Sequence, residues 1–414
     1  MRISRRSANQ IILASAAAMA GGLRIEAAAA AGKVIEIGIA LPLTGADADS
    51  AHRILNGALL AIKQANDSGE VKGYTLKPLI LDNATPTAGQ YDPAQAATNA
   101  RKMVSNPAVM AAVGPEMSGS GKAMAPILSE GDLATITPSS TSPDLTNPQF
   151  AAQFRPAGKA IYFRTVTTDA FQGPNMANFY AETLKAKSVY VLDDSGAYGV
   201  GLANAFIGQA KKKGIHVLGH DRLDPKAADY TTALTKIKAL NADSIYYGGV
   251  MQAGAKLAKQ AYDIVPKMIK GGGDGIYAPE MLTAVGFPAA EGWYATIASP
   301  HVTDNPKVQA WVKLYAATYH TQPDDYAITA YDAGLVIVDA LRRIVAAGKP
   351  ITRALVRDYI QSSKTPTLQG VVSFDANGDI TNRVVSVFQV VKNPKYPLND
   401  MLKQFKYVGV APQT

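Results

Sequence analysis

From Val34 to Ser140, short apolar runs alternate with stretches of helical spacing, and that rhythm leaves few architectures open. VIEIGIALPL (34–43), YTLKPLILDN, MAAVGP and LATITPSS read as strands. Between the first two, AHRILNGALLAIKQAND (51–67) sets apolar residues on one helical face and stops before Gly69. DPAQAATNARKMVS opens with Asp92 as N-cap and Pro93 at the first helical position, and SGKAMAPILSEG is a third helix. Strands joined by helices in this way imply a parallel sheet covered on both faces, an α/β fold.

The rhythm then repeats. KSVYVLDD (187–194), IHVLGHDRL, DSIYYGGV, MIKGGGDG and GWYATIAS read as strands, interleaved with YGVGLANAFIGQAKKKG, YTTALTKIKALNA and QAGAKLAKQAYDIV as helices. Three helical segments follow: NPKVQAWVKLYAATYH, AITAYDAGLVIVDALRRIVAAG and ITRALVRDYIQSS. VVSFDANGDI and RVVSVFQVVKN are expected to close the chain as two strands joined by an Asn-Gly turn. Two such sets in 414 residues exceed one open sheet and one core, so two lobes are expected.

The first 31 residues read as a cleaved export signal: Arg5 and Arg6, the apolar run IILASAAAMA, then AAAAAG. SRRSANQIILA resembles a twin-arginine signal, with Ala8 and Asn9 in place of the usual apolar pair, so Sec and twin-arginine export both stay open. The net charge of +8 includes Arg2, Arg5, Arg6 and Arg24 against Glu26 in this segment. The remaining excess of positive charge is spread along the chain, with no dense basic run interleaved with aromatics, which argues against a nucleic-acid partner. Lys211–Lys213 reads as a solvated helix end, where cations suit the macrodipole. With no cysteine, the chain has no lipid-modified Cys, disulfide or thiolate chemistry. The expected location is the periplasm.

Enzyme signatures are missing. GSGK (119–122) has Glu116 where a P-loop needs glycine and Ala123 where it needs Ser or Thr. GGGDG (271–275) is not a dinucleotide fingerprint, and no serine sits in G-x-S-x-G. His216 and His220 fall on a strand, about 13 Å apart along one face, too far for one metal ion. Asp193–Asp194 and Asp324–Asp325 are adjacent pairs, better read as turn residues than as an acid/base dyad. No catalytic residue, metal or cofactor is expected.

The residues that stand out are hydroxyls. TPSSTSPDLT (137–146) follows a strand, and GPEMSGSG follows its neighbour with Ser118 near the next helix start. In parallel α/β sheets ligands bind beyond the carboxyl ends of the strands. Hydroxyls and free N–H groups at a helix start suit a carboxylate, and Pro138 and Pro143 stiffen the loop. The same residues would also serve as caps and turns.

From Ile35 onward the chain resembles the branched-chain amino-acid (Leu/Ile/Val) binding proteins of ABC importers. The resemblance rests on IGIALPLTG with NGALLAI, AAVGPEMSGS, ITPSSTSPDLT, FRTVTTDAFQGP, VYVLDDSGAYGVG, SIYYGGV, GGGDG and YAITAYDAG, eight motifs in the family's order. It implies a type I periplasmic binding protein: two Rossmann-like lobes joined by a three-strand hinge, residues 33–166 with 299–371 and residues 167–298 with 372–410. It also implies a monomer that closes on an amino acid or related carboxylate and then docks on a membrane permease. Ser118, Ser139, Ser140 and Thr141 match positions that hold the α-carboxylate, and Thr141 with the Ser139 carbonyl also meets the ammonium. Tyr198 matches an aromatic that closes over the ligand, and Asp274 falls where the family has a glutamate for the ammonium. Tyr326 matches a wall aromatic, and Ser50 a position near the ligand side chain. Departures occur at Val250, where relatives have tyrosine, at the shorter Asp274, at the small Ser50, and at Met117, where some relatives have cysteine. The side-chain preference is therefore not inherited: an amide or an aromatic acid stays open as ligand, and so does a sensor with the same fold.

Overall fold

The computed structural model describes residues 33–414; the expected export signal lies outside the described residues. Five parallel strands, β1 (Lys33–Leu41), β2 (Tyr74–Asp82), β3 (Val109–Val113), β4 (Thr135–Thr137) and β5 (Tyr162–Arg164), form one sheet in the order β2-β1-β3-β4-β5. A second sheet begins with β6 (Ser188–Asp193), β7 (His216–Arg222), β8 (Ser244–Gly248), β9 (Ile269–Gly272) and β10 (Tyr294–Ile297). The strands β11 (Thr365–Thr367) and β12 (Gly370–Val372) form a separate hairpin. The strands β13 (Ser386–Val390) and β14 (Phe405–Val410) complete the second sheet, in the order β14-β13-β10-β9-β8-β6-β7.

Local chemistry sets the element ends. Asp92 accepts from the Ala94 N–H at 2.9 Å with Pro93 beside it, starting helix Pro93–Ser105. Gly69, at φ 63°, closes helix Ala48–Ser68. That helix lies against helix Asp325–Ala346, which packs in turn on β3 and β4. A Cβ on Gly57 would collide with the Ala327 carbonyl, so the glycine of the NGALLAI motif is a packing requirement.

The chain passes between the two sheets three times, and the passages are tied together. The Thr167 N–H donates to the Ala298 carbonyl at 2.7 Å. Ser386 Oγ donates to the Ser299 carbonyl at 2.8 Å and accepts from the His301 N–H at 2.9 Å.

Several details differ from the sequence expectation. Asn377–Gly378 does not join two paired strands; its turn closes only a bridge between Phe374 and Ile380, and β13 pairs with β10 and β14 instead. Phe374 packs on Phe163 with ring centroids 5.1 Å apart, and Asp379 pairs with Arg164. Residues 374–380 thus sit on the first sheet, although the range 372–410 assigned them to the second lobe. Helix Asp169–Glu182 escaped notice because Gly173 and Pro174 interrupt it and its buried face carries Gln172, Asn175 and Asn178.

Candidate functional site

The carboxyl ends of β1, β3 and β4 face those of β6, β8 and β9 across a cavity lined from both sides. The first side supplies Asp47 and Ser50 after β1, Glu116 to Ser118 after β3, and Ser139 after β4. The second supplies Tyr198 after β6, Val250 and Met251 after β8, and Asp274, Gly275 and Glu280 after β9. Tyr326, at the start of helix Asp325–Ala346, stands between them. Of the eight residues singled out in the sequence, Ser50, Ser118, Ser139, Tyr198, Asp274 and Tyr326 line this cavity. Ser140 and Thr141 do not; both are buried behind its wall.

The hydroxyl-rich loop is held mostly by its own hydroxyls. Thr137 Oγ1 donates to the Pro115 carbonyl at 2.6 Å and accepts from the N–H groups of Ser140 (2.9 Å) and Ser139 (3.3 Å). Ser139 Oγ donates to the Glu116 carbonyl at 3.1 Å, tying the β4 loop to the β3 loop. Ser118 Oγ accepts from Ser140 Oγ (3.3 Å) and from the Ser142 N–H (3.2 Å). Behind the loop, the fully buried Arg164 donates to the carbonyls of Ser140 (2.6 Å) and Ser142 (2.8 Å) and to Thr146 Oγ1 (2.9 Å), and pairs with Asp379 at 2.7 Å. Turn-making and lining are thus divided within one segment: Thr137, Ser140 and Arg164 fix the loop, while Ser118 and Ser139 face the cavity.

Across the cleft, Asp274 is buried and held by three donors. Tyr198 OH and Gln172 Nε2 (3.0 Å) donate to Oδ1, and Tyr326 OH donates to Oδ2. Gln172 Oε1 accepts from the Asp274 N–H at 2.9 Å and from Thr296 Oγ1 at 2.6 Å, which fixes the amide's orientation. Gln172 Nε2 also donates to Asp169 Oδ1 at 2.9 Å, placing a second buried carboxyl behind the first. Burial raises the pKa of both carboxyls, and their mutual repulsion raises that of Asp169 further. The glycines of GGGDG leave room for this arrangement: a Cβ at Gly273 would meet Leu202 and the Tyr198 hydroxyl, and one at Gly275 the Gly249 carbonyl.

Four contributors were missed in the sequence: Asp47, Glu116, Glu280 and the supporting Gln172. Glu116 and Asp47 follow strands, as Ser118 does, and that position is the one sequence signal they carry. Glu280 and Gln172 carry no local signature. Burial pushes Asp47 up to about 6 and Glu280 up to about 7, and Glu116 well above the carboxylate range, each raised further by neighbouring acids. Of the adjacent pairs, Asp193, Asp194 and Asp324 make turn or cap bonds, while buried Asp325 accepts from Tyr277 OH at 2.8 Å and meets His301 Nδ1 at 3.0 Å. Asp194 accepts from the N–H groups of Gly196 and Val250, both at 2.9 Å, and Asp324 caps its helix through the Ala327 N–H. His220 is engaged by Asp193 at 2.7 Å.

A profile of the periplasmic binding protein family matches residues 34–395. The chain belongs to that family. A Leu/Ile/Val-binding protein of Rhizobium johnstonii is 29% identical over 86% of this chain and 91% of its own length. A leucine-, isoleucine-, valine-, threonine- and alanine-binding protein of Pseudomonas aeruginosa is 30% identical over 87% of this chain and 90% of its own. Among solved structures, a leucine-binding protein of Thermotoga maritima superposes with a TM-score of 0.77 at 27% identity, covering 91% of this chain and 98% of its own. The cleft of this periplasmic binding protein therefore lies between the two sheets of a fold it shares with amino-acid binders. Among its described residues no helix is long and apolar enough to cross a membrane.

Proposed function

We propose that this periplasmic binding protein is the solute-binding component of an ABC importer and takes an amino acid between its two lobes. One lobe is built on the first sheet, from residues 33–166, the helices from Pro306 to Gln361 and the segment through Ile380; the other is built on the second sheet. The observation that carries the reading is the buried Asp274 carboxylate, fixed by Tyr198, Tyr326 and Gln172, opposite Ser118 and Ser139 at the ends of β3 and β4. An α-ammonium suits Asp274, and an α-carboxylate suits Ser118, whose helix presents N–H groups at its start. An aromatic acid without an ammonium would leave the Asp274 side of the cleft without a cation. Export to the periplasm as a monomer, and delivery to a membrane permease, complete the role.

Asp274→Asn keeps the shape and removes the charge. Calorimetric titration with an amino acid bound by the native protein is expected to show at least about a tenfold loss of affinity, near 1.4 kcal/mol. An unchanged dissociation constant would remove the ammonium from this site.

A further inference from the structure

The cleft holds a second group of acids, drawn from both of its sides, that the head-group contacts do not use. We propose, resting on the amino-acid reading above, that Glu116, Glu280 and Asp47 hold a cationic side chain, so that the ligand is a basic amino acid carrying a side-chain ammonium or guanidinium.

Glu116 is only 7% exposed; its Oε1 accepts from Ser50 Oγ at 2.9 Å, and its Oε2 has no hydrogen-bond partner. Both carboxylate oxygens of Glu280 are buried without partners, and Asp47 is 4% exposed; Glu280 faces Asp47 and Glu116 from the second side of the cavity, and the charges of Asp47 and Glu280 both act on Glu116. No Lys, Arg or His is among the described residues lining the cavity, although cations outnumber acids in the chain as a whole. Asp49 and Asp324 add charge of the same sign nearby. Arg53, whose charge acts on Asp324, is engaged by the carbonyls of Gln322 and Asn399.

The choice of occupant follows from what would be sealed in. An aliphatic side chain closing over Glu116 Oε2 and the two Glu280 oxygens would leave them dry and unpaired, at roughly 1–3 kcal/mol each. An ammonium offers three donors and a guanidinium five, and either neutralises the acidic cluster. Ser50 and Val250, both small, line the cavity beside these acids.

Titration calorimetry on the mature protein tests this with near-isosteric pairs: L-lysine against L-norleucine, and L-arginine against L-citrulline, with L-leucine alongside. At least one cationic member is expected to bind about tenfold or more tighter than its neutral counterpart, and Glu116→Gln is expected to narrow that ratio. Thermal unfolding of Glu116→Gln shows whether the variant is folded; Glu280→Gln is the second variant if it is not. If L-leucine or L-norleucine binds as tightly as both cationic ligands, the basic-ligand proposal falls and the amino-acid reading stands. If none of the five binds, both fall.

Discussion

Arg164 shows how much one buried side chain can organise. It has no exposed surface, yet its charge is met by Asp379 and its remaining donors by Ser140, Ser142 and Thr146. Arg164→Met would leave the Ser140 and Ser142 carbonyls without this donor, and Asp379, 28% exposed, with the Thr146 hydroxyl and water. Each buried carbonyl left unpaired costs about 1–3 kcal/mol. Urea unfolding is expected to show a loss of that order, and ligand affinity is expected to fall because Ser139 is carried by the same loop. A variant that keeps its stability would mean the loop's own hydroxyls hold it without Arg164. The acidic cluster makes a separate prediction at this scale. Asp47 at about 6 and Glu280 at about 7 keep protons in the folded, ligand-free protein that the unfolded chain releases above about 4. Between about pH 4 and 7 the folded state therefore binds more protons, and its stability falls as pH rises. Buried Asp332, raised to about 6, acts with the same sign. The ligand-free melting temperature is expected to be lower at pH 8 than at pH 5.5, and Glu116→Gln is expected to flatten the slope. A melting temperature that rises over that interval would show that the cluster is already compensated.

At the scale of elements, the contact between helix Ala48–Ser68 and helix Asp325–Ala346 positions Tyr326, because Gly57 meets the backbone of Ala327, the next residue. Gly57→Ala gains helix propensity but forces the helices apart, and overpacking of this kind costs about 1–3 kcal/mol. Equilibrium unfolding should register the loss, and a weaker ligand affinity should accompany it as the Tyr326 hydroxyl leaves Asp274; a gain in stability would mean the helices can separate freely. Elements of this sort were legible in the sequence wherever an apolar stripe or a cap announced them, as with Asp92, Gly69 and the strands β1 to β4. Helix Asp169–Glu182 was not, because its inward face is built from amides that pair with tertiary partners. The strand β14 was not, because Val408 and Val410 put apolar side chains on its exposed face and blur the alternation of FKYVGV. The site divides along the same line. Loops after strands, with Ser118 and Ser139, follow from topology; Gln172, Glu280 and Arg164 reach the site from elements whose approach is set by tertiary packing.

For the whole molecule, the balance between open and closed forms is set by few direct bonds. Tyr326 OH to Asp274 joins the first side of the cleft to the second, as do Tyr277 OH to Asp325 at 2.8 Å, Gln252 Nε2 to the Ala88 carbonyl at 3.3 Å and Arg53 Nη2 to the Asn399 carbonyl at 3.3 Å. The three passages bond to one another through Thr167, Ala298, Ser299, His301 and Ser386, so they form one short linked segment, where bending between the sheets is expected. A ligand shifts this balance only by its differential affinity for the closed form. Tyr326→Phe removes one bond across the cleft while keeping the ring. A neutral hydrogen bond is worth about 1 kcal/mol and one to a charged group about 1.5–3, so the ligand-free open population is expected to rise about fivefold or more. Small-angle scattering should then give a larger radius of gyration for ligand-free Tyr326→Phe than for the native protein, with both converging when ligand saturates. Equal radii without ligand would mean that the cleft is held shut by the other crossing bonds, and that the Tyr326 hydroxyl positions Asp274 without taking part in closure.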